Sequence, residues 1–417
     1  MGNKKVLVVG SGGRCHAIVD ALSRSSQVEK IYSAPANAGI SMQAEAVAIG
    51  VEDVEALVAF AKKENIDLTV VGPEASLAVG IVDRFQQEGL RIFGPTKAAA
   101  QIESSKEFAK QIMVKYSIPT AAYESFDNYE EAWAYVKARP VPTVIKYDGL
   151  AAGKGVVVAE NYEEADAALK DMLLDESFGK GRVVIEEFLE GPEFSFMCVV
   201  SGEKVYPLAM AQDHKRAYEG DKGPNTGGMG AYSPVPFVTD EVREFALEKI
   251  MRPTAAAMVA EGVPFTGVLY GGLILTTEGP KVIEFNARFG DPETEVVLPR
   301  LKSDIYELFD AAIDARNCEL EWSDEALLGI VLASKGYPAS YPKGAVIEGL
   351  ENLSSTVYHM GTARKEDAVV TAGGRVLMVV GRGATLRKAR EQALSDIQKI
   401  ACDSLFYRSD IGHKVLD

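Results

Sequence analysis

The chain has 417 residues, 47% apolar and 25% charged, the composition of a water-soluble globular protein long enough for two to four separate cores. Lys and Arg total 44 against 60 Asp and Glu, a net charge of −16, so nonspecific binding to nucleic acid or an acidic membrane is disfavoured and an anionic ligand must be met by local clusters of cations. The cysteines (Cys15, Cys198, Cys318, Cys402) form no C-x-x-C pair and no apolar run spans a bilayer, which argues against a zinc site, a disulfide frame, a secretory signal or a membrane span and for a soluble protein of a reducing cytosol.

Lys4 to Val9 reads as a short buried strand, followed by Gly10-Ser11-Gly12-Gly13-Arg14 and a helix from about His16. Strand, glycine turn and helix present free N–H groups and a positive dipole end to an anion. A dinucleotide fingerprint needs a third glycine where Cys15 stands and an acidic residue closing the second strand, and Ile31 to Pro35 has none. A single phosphate fits better, and a tight turn without a ligand has the same pattern. Further βα units at Asp67 to Glu74 and Arg91 to Pro95, with the helical spacing Val54/Leu57/Val58/Ala61, predict a doubly wound parallel sheet with ligands at its carboxyl ends.

Ser104-Ser105 predicts a helix start, with an apolar stripe Phe108/Ile112/Met113/Tyr116 ending before Pro119. Val144 to Val158 then reads as a strand ending in Lys146, a loop of small residues carrying Gly153, Lys154 and Gly155, and a second strand. Small residues let a loop close over phosphates, and two ammonium groups offset triphosphate charge; a hairpin with solvated lysines is the plain alternative. Val183 to Glu193 is a strand breaking into an acidic loop, where backbone groups can meet an adenine edge and a carboxylate can take ribose hydroxyls. Gln212-Asp213-His214-Lys215-Arg216 and the run Asn225 to Tyr232 are dense in cations and glycines, suited to close approach of a ligand or to a solvated loop.

Thr266 to Leu275 predicts a buried strand leading into Lys281 to Glu293, KVIEFNARFGDPE. On a strand, Glu284, Asn286 and Arg288 share one face over roughly 13 Å, while Phe285, Ala287 and Phe289 face a core. Carboxylate and amide oxygens are hard ligands of the kind Mg²⁺ accepts beside phosphate oxygens, and an Arg can fork onto a carboxylate or a phosphoryl group. After Trp322 come short β segments, Leu327 to Ala333, Ala345 to Ile347, Thr356 to Met360, Val369 to Thr371 and Arg375 to Val380, with Gly373-Gly374 as a hairpin turn between the last two and a helix near Leu386 to Ile400. This stretch is expected to be a cap of low catalytic content.

Taken in order, GSGGR at Gly10, VGPEA at Val71, DGLAAGKGV at Asp148, EEFLEG at Glu186, QDHKR at Gln212, GPNTGGMGAYSP at Gly223 and VIEFNARFGDPET at Val282 closely resemble the phosphoribosylamine–glycine ligase (glycinamide ribonucleotide synthetase) family of purine biosynthesis, over essentially the whole chain. The resemblance implies an α/β fold with α+β elements: an N-terminal doubly wound parallel-sheet domain (1–103), a two-part ATP-grasp core (104–190 and 191–326) and a small β-rich C-terminal domain (327–417). It implies ATP-dependent joining of glycine to 5-phosphoribosylamine through an acyl phosphate, in a cytoplasmic enzyme expected to be a monomer with no nucleic-acid or membrane partner. By the same resemblance Lys146, Gly153, Lys154 and Gly155 meet the ATP phosphates, Glu186, Glu187, Phe188 and Leu189 the adenine, and Glu193 the ribose. Glu284 and Asn286 hold Mg²⁺ or Mn²⁺, and Arg288 faces the transferred phosphoryl group. Asp213, Lys215, Asn225 and Asp291 form the glycine and amine pocket, and Gly10, Ser11, Gly12, Gly13 and Arg14 cradle the ribose 5-phosphate. Cys15, Tyr147 and Pro192 depart from the usual pattern, which has Glu, a small residue and Glu there, and no acidic second metal ligand stands near Gly271-Gly272. A regulator that kept the fold without turnover predicts loss of Glu284, Asn286, Lys146 or Lys154, and all four are present. Another ATP-grasp ligase of nucleotide metabolism is opposed by the QDHKR and GPNTGGMG runs.

Overall fold

The computed structural model describes residues 2–149 and 155–416, so Gly153 and Lys154 lie outside the described residues. Its first sheet is parallel, with strands Lys4–Val9, Val28–Ala34, Glu45–Ala46, Leu68–Val71 and Ile92–Phe93 in spatial order third, second, first, fourth, fifth. Val6 to Val9 are fully buried, as expected of a strand covered on both faces. Strand order reverses between the first and fourth strands, and there the loops after Val9 and after Val71 open side by side. The first helix, Gly13–Ser23, starts three residues earlier than the sequence suggests, so Gly13 is already helical. Cys15 fills the space between the two loops: an added methyl at Gly10 or Gly72 would fall 2.5 or 2.3 Å from its Sγ.

Two antiparallel sheets follow. One orders Tyr123–Phe126, Val183–Glu187, Thr143–Tyr147 and Val156–Ala159, backed by helices Tyr129–Lys137 and Tyr162–Leu173 over a separate apolar cluster. Tyr147 belongs to that cluster, packing on Phe178 with its hydroxyl on the Gly179 carbonyl. The other orders Lys204–Pro207, Glu193–Ser201, Thr266–Thr276 and Gly279–Asn286. Helix Lys106–Lys115 joins this part of the chain to the first sheet; its Ser105 cap accepts from the Phe108 amide, as the serine pair predicts.

The last large sheet mixes chain regions: Gln212–Asp213 and Gly230–Ser233 pair on to Ala326–Ser334, which continues to Arg375–Gly383 and Thr356–His359. The expected hairpin at Gly373-Gly374 is not formed. Ala368–Thr371 pairs instead with Thr362–Lys365 and Val346–Ile347, in a different sheet from Arg375–Gly383. Neither glycine has the positive φ that a two-residue hairpin turn requires. Gly373 serves a backbone crossing: the Ala372 and Gly373 amides donate to the Gly361 carbonyl at 2.7 and 3.0 Å, and a methyl on Gly361 would sit 2.6 Å from the Gly373 Cα; Gly374 makes room for the Tyr337 and Tyr341 rings.

One buried side chain ties the first glycine loop to this last sheet. Asn37 donates from Nδ2 to the Ser11 and His359 carbonyls, both at 2.7 Å, and accepts at Oδ1 from the Gly39 and Ile40 amides. The His359 amide donates in turn to His16 Nδ1 at 2.8 Å. Buried carbonyls left without a donor cost more than the bond itself contributes. Asn37→Ala is therefore expected to lower the unfolding free energy by about 2–4 kcal/mol in urea denaturation.

Candidate functional site

A cavity of about 630 Å³ opens where the parallel sheet, the two antiparallel sheets and the mixed sheet meet. Its floor is the end of strand Gly279–Asn286 and the residues after it. After a register shift beside Ile283, alternation holds from Glu284 onward: Phe285, Ala287 and Phe289 are at most 3% exposed, and Glu284, Asn286 and Arg288 line the cavity, with Ile283 and Phe285 also at its edge. Burial pushes the Glu284 carboxyl up, but the Lys215, Lys146, Lys106 and Arg288 cations outweigh it and hold the group below the usual range. Glu284 is thus a carboxylate facing the space. Arg288 donates to Asn286 Oδ1 at 3.0 Å and pairs with Glu103 at 3.0 Å and Glu74 at 3.3 Å.

Across the cavity, Lys146 at the end of strand Thr143–Tyr147 donates to the Ile283 carbonyl and pairs with Glu186, both at 2.9 Å. Lys110 holds the other oxygen of Glu186 at 3.1 Å, so two buried ammonium groups share one carboxylate. Desolvation lowers Lys110 to about 8. Lys106 adds a third amine nearby, on the Gly149 carbonyl at 2.9 Å, and its backbone amide donates to Asp148 at 2.6 Å. This side of the cavity carries more positive than negative charge, which suits an anion.

At one end, Lys215 pairs with Glu193 at 2.9 Å beside Asp213, whose burial raises its carboxyl to about 7, with Glu293, Glu193 and Glu284 adding to the rise and Lys215 opposing it. Glu293 Oε1 accepts from Ser195 and Tyr270, each at 2.8 Å, under the same pocket. At the other end Asp291 accepts from the Arg14 amide at 3.1 Å and pairs with Arg375 at 3.0 Å. Arg375 also donates to the Gly227 carbonyl at 2.7 Å.

Ten of the residues singled out from sequence line this one cavity: Arg14, Lys146, Gly155, Glu186, Asp213, Lys215, Glu284, Asn286, Arg288 and Asp291. Others do not. Asn225 lies on the exposed strand Lys222–Asn225, and its neighbours Thr226 and Gly227 reach the cavity in its place. Glu187 is exposed and accepts from the Ala122 amide, Phe188 is 39% exposed, and Leu189 and Gly10 to Gly13 are not among the lining residues. Glu193 reaches the site through Lys215. Pro192 stands at the surface, its carbonyl taken by the Leu275 amide.

Sequence reasoning missed Glu103, Lys106, Lys110, Glu293 and Arg375, and it put Glu74 at the ligand-collecting strand ends without a role of its own. Lys106 follows the helix-capping Ser105 and Glu293 closes the FGDPE run, so both lay within reach. Arg375 did not, because its region reads as a cap; the strand Arg375–Gly383 begins at the cavity wall.

Residues 4–103, 104–294 and 327–414 match the N domain, the ATP-grasp (A) domain and the C domain described for phosphoribosylglycinamide synthetase. The chain is 57% identical to the phosphoribosylamine–glycine ligase of Halalkalibacterium halodurans, over 99% of this chain and 97% of that one. A crystal structure of the phosphoribosylamine–glycine ligase of Thermotoga maritima superposes with a TM-score of 0.87 at 34% identity, covering 98% of this chain and all of that one. The biotin carboxylase domain of a Hydrogenobacter thermophilus 2-oxoglutarate carboxylase shares the fold, with a TM-score of 0.74 at 15% identity over 98% of this chain and 92% of that one.

The raised Asp213 carboxyl makes a prediction with a definite sign. Its folded value of about 7 lies above the ordinary 3.8, so the folded state binds the extra proton between those pH values. Relative to Asp213→Asn, the wild-type protein is expected to lose stability as pH rises from about 4 to about 7 and to level off above, in paired urea denaturations.

Proposed function

The chain belongs to the phosphoribosylglycinamide synthetase family, and from that premise we propose that it joins glycine to 5-phosphoribosylamine, converting ATP to ADP and phosphate, as a step of purine biosynthesis. A carboxylate is a poor acyl donor. One glycine carboxylate oxygen would attack the γ-phosphorus, ADP would leave, and the resulting glycyl phosphate would accept the amine nitrogen at its acyl carbon. Phosphate departs and the amine sheds a proton. The observation that carries this reading is the convergence of Glu284, Asn286 and Arg288 with Lys146 on one cavity rich in buried cations.

Positioning and charge neutralisation dominate phosphoryl transfer. Lys146, with Lys106 beside it, would meet the ATP phosphates, together with Gly155 and the Gly153 and Lys154 that sequence assigns there. Glu186 orients both Lys146 and Lys110, and the backbone from Glu186 through Glu187 and Phe188 to Leu189 would run along the adenine, with Glu193 at the ribose. Arg288 would face the transferred phosphoryl group. Asp213, Lys215 and Asp291 would hold glycine and the amine, with Asn225 at the rim, and Asp213 would take the proton the amine sheds. Gly10, Ser11, Gly12, Gly13 and Arg14 would face the 5-phosphate, and Arg375 adds a cation at that end.

Membership of an ATP-grasp family implies ATP and a divalent cation. Among the described residues no group of three or more His, Cys, Asp and Glu forms a metal cage. Glu284 and Asn286 offer one carboxylate and one amide oxygen, a fit for Mg²⁺ or Mn²⁺ whose other ligands are phosphate oxygens and water. When bound, that ion supplies charge neutralisation at the phosphate oxygens. No helix among the described residues is long and apolar enough to cross a membrane. We place the protein in the cytoplasm as a monomer, divided at 103/104, 190/191 and 326/327.

Purified protein is expected to release phosphate from ATP only when glycine and phosphoribosylamine are both present; steady release without glycine overturns the assignment. Glu284→Gln keeps the shape and removes the charge, and should lower kcat about 10²-fold or more with an unchanged circular-dichroism spectrum. Activity within a few-fold of wild type would remove Glu284 from the metal site.

A further inference from the structure

Lys215 and Asp213 face the cavity, and the residue between them faces the other way. His214 is fully buried, its Nε2 accepting from the Gly412 amide at 3.1 Å. An accepting Nε2 requires the neutral ring, and burial, with the Lys414 and Arg408 cations, holds its pKa down at about 3. The His214 backbone is fixed as well: its amide donates to the Gly230 carbonyl at 2.9 Å and its carbonyl accepts from the Met229 amide at 2.7 Å.

The Gly412 amide belongs to a segment near the end of the chain that grips the same stretch repeatedly. Arg408 is entirely buried. Its Nε and Nη2 fork onto the two oxygens of Asp410, both at 2.8 Å, and its Nη1 donates at 3.0 Å to Asp221 and to the Arg216 carbonyl. Asp410 also accepts from the Gly220 amide at 2.8 Å, the Ser409 amide donates to Glu219 at 3.1 Å, and Lys414 pairs with Asp221 at 2.9 Å. These bonds connect residues 408–414 to residues 214–221, the segment that carries Lys215.

We propose that the segment Arg408–Lys414 is a positioning element for Lys215 and Asp213, acting through His214 and the Arg216 carbonyl. None of its residues lines the cavity. Lys215 lies in the two-residue link between the short strands Gln212–Asp213 and Arg216–Tyr218, where a lysine has several rotamers and a backbone that can shift, and a misplacement of about 1 Å at a reacting group can cost about 10²-fold in rate. Clamping the residues on either side of Lys215 fixes where its ammonium starts. The kinetic arm of the test rests on the reading that Asp213 and Lys215 meet glycine and the amine.

The variants are His214→Leu, which removes the acceptor at similar volume, and His214→Gln, which keeps one. His214→Leu should raise the glycine KM about fivefold or more, or lower kcat about tenfold, while the ATP KM stays within about twofold, and His214→Gln should restore most of the loss. Unchanged glycine KM and kcat, or an ATP KM that moves by the same factor, would overturn the proposal. If His214→Leu does not fold, Arg408→Lys, which keeps the charge and loses the fork, is read by the same split. A wild-type enzyme that never consumes glycine sinks the functional reading alone. The positioning claim is then decided by a crystal structure of His214→Gln and Arg408→Lys: Lys215 displaced from its 2.9 Å contact with Glu193 in Arg408→Lys but not in His214→Gln supports it, and Lys215 unmoved in both overturns it.

Discussion

Arg14, Arg288 and Arg375 come from well-separated parts of the chain, and all three are drawn into one cavity by carboxylates, those of Glu103 and Asp291 buried and that of Glu74 partly exposed. A guanidinium taken out of water must be paired or the fold loses several kcal/mol. Glu74 lies between Arg14 and Arg288, Glu103 holds Arg288 from the other side, and Asp291 lies between Arg14 and Arg375. Burial works to raise Glu74, but the Arg14 and Arg288 charges bring it below the usual range; burial wins at Glu103, which is pushed up against the pull of Arg288. The pairs that let these arginines be buried are also what bring separate sheets to a common edge.

The same logic accounts for the opposite wall. Lys110 and Lys146 share Glu186, with Thr120 and the Ala121 carbonyl completing the Lys110 shell. One carboxylate cannot neutralise two ammonium groups, and a site left short of negative charge is prepared for an anionic ligand. Pairing is left incomplete within this cluster, where two buried ammonium groups share one buried carboxylate.

Around the cavity the glycines mark close approach more than flexibility. Gly13 must lack a side chain because Glu295 and Met360 occupy the space a methyl would take, and Gly361 because another backbone crosses it. Cys15 illustrates the tolerance of such packing. Its Sγ fills the gap between Gly10 and Gly72, with burial pushing the thiol up to about 12, so the side chain acts as a small apolar filler.

Much of the floor of the site was legible in the chain because strand alternation is a local property. Glu284, Asn286 and Arg288 had to share a face once Val282, Ile283 and Phe285 made a strand, and the helix caps and the parallel βαβ pattern were fixed in the same local way. What the sequence could not carry was which distant groups those faces would meet. Asn225 reads as part of a binding run, yet the short strand it lies on turns it to solvent, and Thr226 and Gly227 take the inward places. Gly373-Gly374 has the composition of a hairpin but does not form one, because Arg375–Gly383 pairs with Ala326–Ser334 and Thr356–His359 and not with the preceding strand Ala368–Thr371. Arg375 and Glu103 gain their meaning only from ion pairs to residues far along the chain, and no local pattern records a pairing that tertiary packing alone creates.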